Sequence, residues 1–80
     1  MNVEEIEALL TAHPEVAYAK VTGDGKHYEL TIVSNAFIGL PKVKRQLWVY
    51  GLLNQSIISG RMHAVQMQTW TEDEWEKQGG

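Results

Sequence analysis

The sequence contains no cysteine, so the chain can form no disulfide and offers no thiolate to a metal ion or a redox reaction. It also lacks a long apolar run and a basic N-terminal region, because its opening, MNVEEIEALL, is acidic. We therefore expect no signal peptide, no membrane span, no membrane partner and a cytoplasmic location. No linker or repeat interrupts the 80 residues, which predict one small domain over residues 1–78 and a frayed tail at residues 79–80.

Basic residues are in the minority, and the patterns that enzymes require are scarce. The formal net charge of −3 argues against general nucleic-acid binding, although a local basic patch can coexist with a negative total.

The sequence contains no P-loop, GxGxxG or HExxH motif and no nucleophile elbow. Asp73 and Glu74 are explained by a helix cap, and Asp24 is explained by a turn. We therefore expect no enzymatic activity.

The longest amphipathic pattern covers residues 41–58 and predicts the main helix, with Gly60 as its stop. A period of 3.6 residues places four apolar side chains on one stripe, which we expect to pack against a sheet: Val43, Leu47, Tyr50 and Ile57. Leu53 and Ile58 lie at the edges of this stripe. The opposite side carries Lys44, Trp48 and Leu52. This side is either a solvated face or a partner-binding face, and one such partner is a second copy joined through Trp48 and Leu52.

The segment before the main helix predicts a short helix and a β-hairpin. The short helix ends at His13, which precedes a proline and which we expect to be exposed. Residues 16–22 and 26–34 predict two strands, joined by a Gly-Asp-Gly turn at residues 23–25. We expect Phe37 to be buried after the hairpin. Three alternating side chains of the second strand are predicted to point inward: Tyr28, Leu30 and Ile32.

The C-terminal segment predicts a third strand over residues 61–70, with Val65 and Met67 on its inner face. Four residues fit a capping box and an apolar staple at the start of a final short helix: Thr71, Glu74, Trp70 and Trp75. The resulting order, α-β-β-α-β-α, predicts an α/β (α+β) fold. In this fold helices pack on a three-stranded mixed sheet, and the crossover that contains the main helix is right-handed.

Two histidines, His27 and His63, are the remaining residues with ligand chemistry. Each lies beside a turn, near the start of the second and third strands respectively. If these two strands are parallel neighbours, both imidazoles lie at the same end of the sheet. Neutral imidazole binds iron and zinc well, but two nitrogen ligands alone make an incomplete site. From spacing alone, an exposed or structural role is the simpler interpretation of each histidine.

Several motifs, taken together and in order, resemble those of the BolA family and, within it, the IbaG-like branch. They extend from the hairpin to the C-terminal helix: Gly23-Asp24-Gly25 with His27, Phe37-x-Gly39, Val43-Lys44-Arg45-Gln46, Val49-Tyr50-Gly51, Met62-His63-Ala64-Val65 and Thr71-x-x-Glu74-Trp75. The resemblance implies a fold similar to a type II KH domain, which agrees with the element order predicted above.

The same resemblance implies a partner and a shared cofactor. BolA-like proteins pair with monothiol glutaredoxins of the CGFS kind and share a [2Fe-2S] cluster, for which the glutaredoxin and glutathione supply thiolates. The near-invariant histidine of the family corresponds to His63, and the second family ligand, a histidine or cysteine, corresponds to His27. The resemblance therefore implies an adaptor in iron-sulfur maturation or iron regulation, with no cofactor in the isolated apo protein.

A basic patch at the start of the main helix supports an alternative function. Lys42, Lys44 and Arg45 lie beside Trp48, and we interpret them as a solvated helix start or as a patch for nucleic acid or a partner. The alternative is a nucleic-acid-binding transcriptional or stress regulator that uses the KH-like fold. The GxxG loop, with which KH domains clamp a nucleic-acid backbone, is absent from the sequence.

Overall fold

The structure is a computed structural model that describes residues 3–24, 27–53 and 64–79. Its elements, in chain order, are α1 (Val3–Thr11), β1 (Val16–Gly23), β2 (His27–Ser34), a 3-10 turn (Asn35–Phe37), α2 (Lys42–Leu52), β3 (Ala64–Trp70) and α3 (Glu72–Lys77). This order confirms the predicted α-β-β-α-β-α arrangement. Within these three ranges, no helix is long and apolar enough to cross a membrane.

The three strands form one mixed sheet in the order β1-β2-β3. The strands β1 and β2 form the predicted antiparallel hairpin, in which Gly23 pairs with Tyr28. The strands β2 and β3 run parallel, and their register begins with His27 opposite Ala64. Parallel strands cannot be joined by a tight turn, so the chain between them returns through a crossover that contains α2.

One face of the sheet forms the core together with α1 and α2. The predicted alternation of β2 is confirmed, because Tyr28, Leu30 and Ile32 are buried on this face. Phe37 is completely buried, as predicted, and Val65 and Met67 pack against the same cluster. Four further buried side chains complete the core: Ile6 and Leu10 from α1, Val49 from α2, and Leu53 directly after α2.

The opposite face of the sheet carries a row of three side chains, one from each strand. The register aligns Tyr18 with Val33, and Val33 with Trp70. From α3, Trp75 stacks on the Tyr18 ring at a centroid distance of 5.5 Å and meets the Trp70 ring at 6.2 Å. The predicted capping box and apolar staple at the start of α3 are both confirmed, so α3 is held over this second face.

The predicted core-facing stripe of the main helix is wrong at its centre, although its edge member Leu53 is buried. Val43 and Leu47 are 67% and 64% exposed, whereas Val49 is completely buried. Two stripes on this helix satisfy the 3.6-residue period, and the helix ends at Leu52, so it is too short to include the predicted stripe member Ile57. The predicted positions Ile57, Ile58 and Gly60 lie outside the described residues.

The opposite side of α2, which was expected to be solvated or to bind a partner, is packed against the core at Trp48 and Leu52. Trp48 meets the Phe37 ring edge to face at 5.3 Å and the His13 ring at 5.1 Å. Leu52 also packs on the core cluster. A homodimer joined through Trp48 and Leu52 is therefore not supported by this arrangement, and His13 is half-buried rather than exposed.

Candidate functional site

The hairpin turn presents His27 to solvent. The Asp24 carboxylate accepts a hydrogen bond from the His27 N–H at 2.9 Å, and the Asp24 N–H donates to the His27 carbonyl at 3.2 Å. These two bonds fix the backbone at the start of β2. The imidazole itself is 73% exposed, and its Nδ1 lies 3.7 Å from Asp24 Oδ2. No hydrogen bond reaches Nε2 from the described part of the chain, so this nitrogen is available to a ligand.

Gly23 has no side chain, and this allows the backbone of His27 to lie close to it. A Cβ atom at this position would lie 2.7 Å from the His27 carbonyl oxygen and 2.6 Å from Cδ1 of Tyr28. Because one of these atoms belongs to the backbone, a side chain could be accommodated only by moving the strand. The sequence predicted the turn at this position but gave no sign of the steric requirement.

The parallel register places His27 opposite the first described residue of β3. His27 is paired with Ala64, the residue that follows His63 in the sequence. The expectation that the two strands are parallel neighbours is therefore confirmed. His63 itself lies outside the described residues, and its role as a ligand stays a prediction.

The described residues contain ligand chemistry but no complete metal site. Among residues 3–24, 27–53 and 64–79, no group of three or more histidine, cysteine or acidic side chains is arranged to hold a metal ion. What this part of the chain offers is one accessible imidazole nitrogen on His27, which can occupy a single position on an iron atom. A single imidazole can fill one ligand position of a cluster, and it is too few donors for the described residues to hold a metal ion by themselves.

The predicted basic patch is smaller than the sequence indicated. Lys42 and Lys44 are exposed, but the Arg45 side chain is only 12% exposed because it is bound inside the fold. Its Nε donates to the Leu40 carbonyl at 2.8 Å, and its Nη1 donates to the Thr69 carbonyl at 3.1 Å. We therefore correct the patch to its two lysines, because Arg45 has a structural role and Trp48 packs against the core.

Arg45 also forms an ion pair that no local sequence pattern indicated. Its Nη1 lies 2.8 Å from Oε1 of Glu74, the acidic member of the capping box. Hydrogen bonds from Arg45 and from the Thr71 N–H lower the pKa of Glu74 from 4.5 to about 2. The side chain of Glu74 remains 44% exposed, so solvent screens part of this interaction.

Comparison with known proteins places this chain in a family. The family model described as "BolA-like protein" matches residues 2–74. The chain is 36% identical over 75 residues to the acid stress protein IbaG of Escherichia coli K12, covering 94% of this chain and 89% of that protein. It is 40% identical over 77 residues to an uncharacterized protein of Acinetobacter guillouiae, covering 96% of this chain and 93% of that protein.

A solved structure supports the same family assignment. The BolA homologue of Coxiella burnetii superimposes with a TM-score of 0.78 at 28% identity, covering 95% of this chain and 97% of that one. The predicted three-stranded mixed sheet with packed helices is thus the fold of this family. The chain therefore belongs to the BolA-like family, and within it to the IbaG-like branch.

Proposed function

We propose that this protein is an adaptor that pairs with a monothiol CGFS glutaredoxin and contributes histidine to a shared [2Fe-2S] cluster. The observation that carries the proposal is the register of the parallel strands. It pairs His27, whose imidazole is exposed, with the residue that directly follows His63. Family membership supports the choice of partner, because the resemblance to BolA proteins implies such a pairing.

The chemistry of the chain is consistent with a division of ligands between two proteins. The sequence has no cysteine, so the thiolates come from the glutaredoxin and from glutathione. His27 is held at its backbone by Asp24, which leaves the exposed ring free to meet a partner's surface. A [2Fe-2S] cluster with imidazole on one iron supplies a one-electron centre of raised reduction potential.

The use of imidazole as a ligand would make the proposed complex sensitive to acid. Imidazole binds a metal ion only in its neutral form, so a cluster with imidazole ligands would be sensitive to protonation. The relative in Escherichia coli is named for acid stress, and this name supports a role in which the complex responds to pH. The proposed adaptor therefore acts in iron-sulfur maturation or iron regulation under conditions that include acidification.

The test is anaerobic reconstitution of the [2Fe-2S] cluster on a CGFS glutaredoxin with glutathione, with and without this protein. Visible circular dichroism is compared for the wild type, His27→Ala, His63→Ala and a control, His13→Ala, whose ring packs on Trp48 away from the turn. We expect a spectrum distinct from that of the glutaredoxin homodimer. It should be lost with His63→Ala, weakened with His27→Ala and retained with His13→Ala.

Persistence of the homodimer spectrum in every mixture would contradict the proposal. Far-ultraviolet circular dichroism of each variant verifies that a lost signal does not arise from unfolding. The alternative, a nucleic-acid-binding regulator, has less support because Arg45 is bound within the fold and only Lys42 and Lys44 remain exposed. It predicts binding to DNA or RNA that weakens steeply as salt is raised.

A further inference from the structure

A groove of about 630 Å³ lies between the start of α2, the strand β3 and α3, and the histidine site does not use it. Four consecutive residues of β3, from Met67 to Trp70, line it. Neighbouring side chains of a strand point to opposite faces of the sheet, so a groove lined by all four runs along the edge of the strand. The groove therefore follows the edge of β3 that is not paired with β2.

The direction of the Thr69 carbonyl shows which backbone groups of β3 face the groove. The Thr69 carbonyl accepts a bond from Arg45, so it points away from β2 and towards α2. Backbone groups alternate in direction along a strand, so the N–H and C=O of Met67 point to the same side as the Thr69 carbonyl. An edge of this kind is a template for an additional strand from another chain.

The charges around the groove favour an anionic occupant. Lys42 on α2 and Lys77 on α3 both line it and are exposed, and neither has an ion-pair partner among the described residues. Glu74 is the one carboxylate among the lining residues described, and Arg45 neutralises it at 2.8 Å. An approaching carboxylate thus meets two unpaired cations on opposite walls of the groove.

We propose that this groove binds an extended acidic segment of a protein partner, which adds to the edge of β3 as a fourth strand. Its backbone pairs with Met67, and its carboxylates lie against Lys42 and Lys77. A peptide fits better than a nucleic acid, because a strand edge offers backbone donors and acceptors at the spacing that an added strand requires.

This proposal is independent of the proposed cluster. The groove lies along the C-terminal half of β3, whereas His27 is opposite Ala64 at the other end of the same strand. The two sites can therefore be occupied and tested separately. Peptide binding is measured on the isolated full-length chain, without glutaredoxin, glutathione or iron.

The probe is a blocked hexapeptide in which valine alternates with glutamate, titrated into the ¹⁵N-labelled protein and followed by amide chemical shifts. We expect the largest shifts at Met67 and Gln68, with little change at His27. Charge reversal at either lysine, Lys42→Glu or Lys77→Glu, should weaken binding about five-fold. The matched control is Lys44→Glu, the same change on an exposed residue of α2 that does not line the groove, and it should leave binding nearly unchanged.

Three results would overturn the proposal. The first is an absence of shifts along β3 at millimolar peptide. The second is equal binding of a control peptide that carries lysine in place of glutamate, or an equal effect of Lys44→Glu, since either result removes the role of the groove lysines. The third is stronger binding of a single-stranded oligonucleotide of the same charge at the same amides, which would assign the groove to nucleic acid. Dispersion of the amide spectrum shows whether each variant is folded.

Discussion

Arg45 and Glu74 join the first turn of α2 to the first turn of α3, with 2.8 Å between Nη1 and Oε1. The same Glu74 oxygen accepts the Thr71 N–H at 2.9 Å, so one carboxylate completes the cap of α3 and the ion pair with α2. The Arg45 side chain also holds the carbonyl of Thr69 at the end of β3. Three elements thus converge on one guanidinium group, and this contact has measurable consequences.

The first prediction concerns stability in acid. Since the pKa of Glu74 is lowered from 4.5 to about 2 in the folded protein, the unfolded chain binds more protons between these pH values. The free energy of unfolding should therefore fall as the pH drops from about 5 towards 2, with a contribution from Glu74 of about 1 kcal/mol after solvent screening. Urea unfolding measured over this range for the wild type and Glu74→Gln isolates the contribution. If the two pH profiles were parallel, Glu74 would have no such role.

The second prediction compares two glycines. Gly23→Ala should lower the free energy of unfolding by about 2 kcal/mol, because its Cβ would collide with the His27 carbonyl oxygen at 2.7 Å. Gly51→Ala is the matched control, since no atom lies within 4 Å of the added Cβ on this exposed turn of α2. It should raise stability by about 0.5 kcal/mol through helix propensity. Equal effects of the two substitutions, measured by chemical denaturation, would contradict the described turn.

The third prediction compares the buried leucine that directly follows α2 with an exposed leucine within the helix. Leu53→Ala should cost about 3 kcal/mol, because Leu53 is only 2% exposed in the core. Leu47→Ala makes the same chemical change at a side chain that is 64% exposed, and it should alter stability by no more than about 0.5 kcal/mol. Thermal or urea unfolding of both variants provides the comparison. A larger loss with Leu47→Ala would restore the core-facing stripe that the sequence predicted.

Features that depend on neighbouring residues were predictable from the sequence. The hairpin, the alternation of β2 and the capping box of α3 each have a short signature, and all three are confirmed. The parallel order of β2 and β3 followed from the helix between them. In each case the prediction rests on a few neighbouring residues or on a general rule of topology.

Features that depend on distant residues were not predictable in this way. The helix α2 carries two apolar stripes, and contacts of Trp48 with Phe37 and His13 select the one that packs inward. The pair of Arg45 with Glu74 unites residues from different helices, so Arg45 was assigned to a surface patch. The groove along β3 was also missed, because Lys77 approaches Lys42 only after α3 has folded beside the strand.

The candidate ligands were found by their residue type and their position near strand starts. The structure confirms an exposed His27 beside β3, but neither it nor the family match tests the ligand roles of His27 and His63. The steric demand at Gly23 could not have been predicted, because it arises from a backbone oxygen whose position is set by the turn.

The parallel pairing of β2 with β3 also has a consequence for the folding kinetics of the chain. The hairpin closes over a short loop and can form early, whereas His27 meets Ala64 only after all of α2 has been traversed. Contacts of high sequence separation form slowly, because loop closure must precede any gain from them. We therefore expect the surroundings of His27 to be completed in the last folding step. A chain released before its third strand is made would carry the histidine on an isolated hairpin, without the neighbour that defines the site.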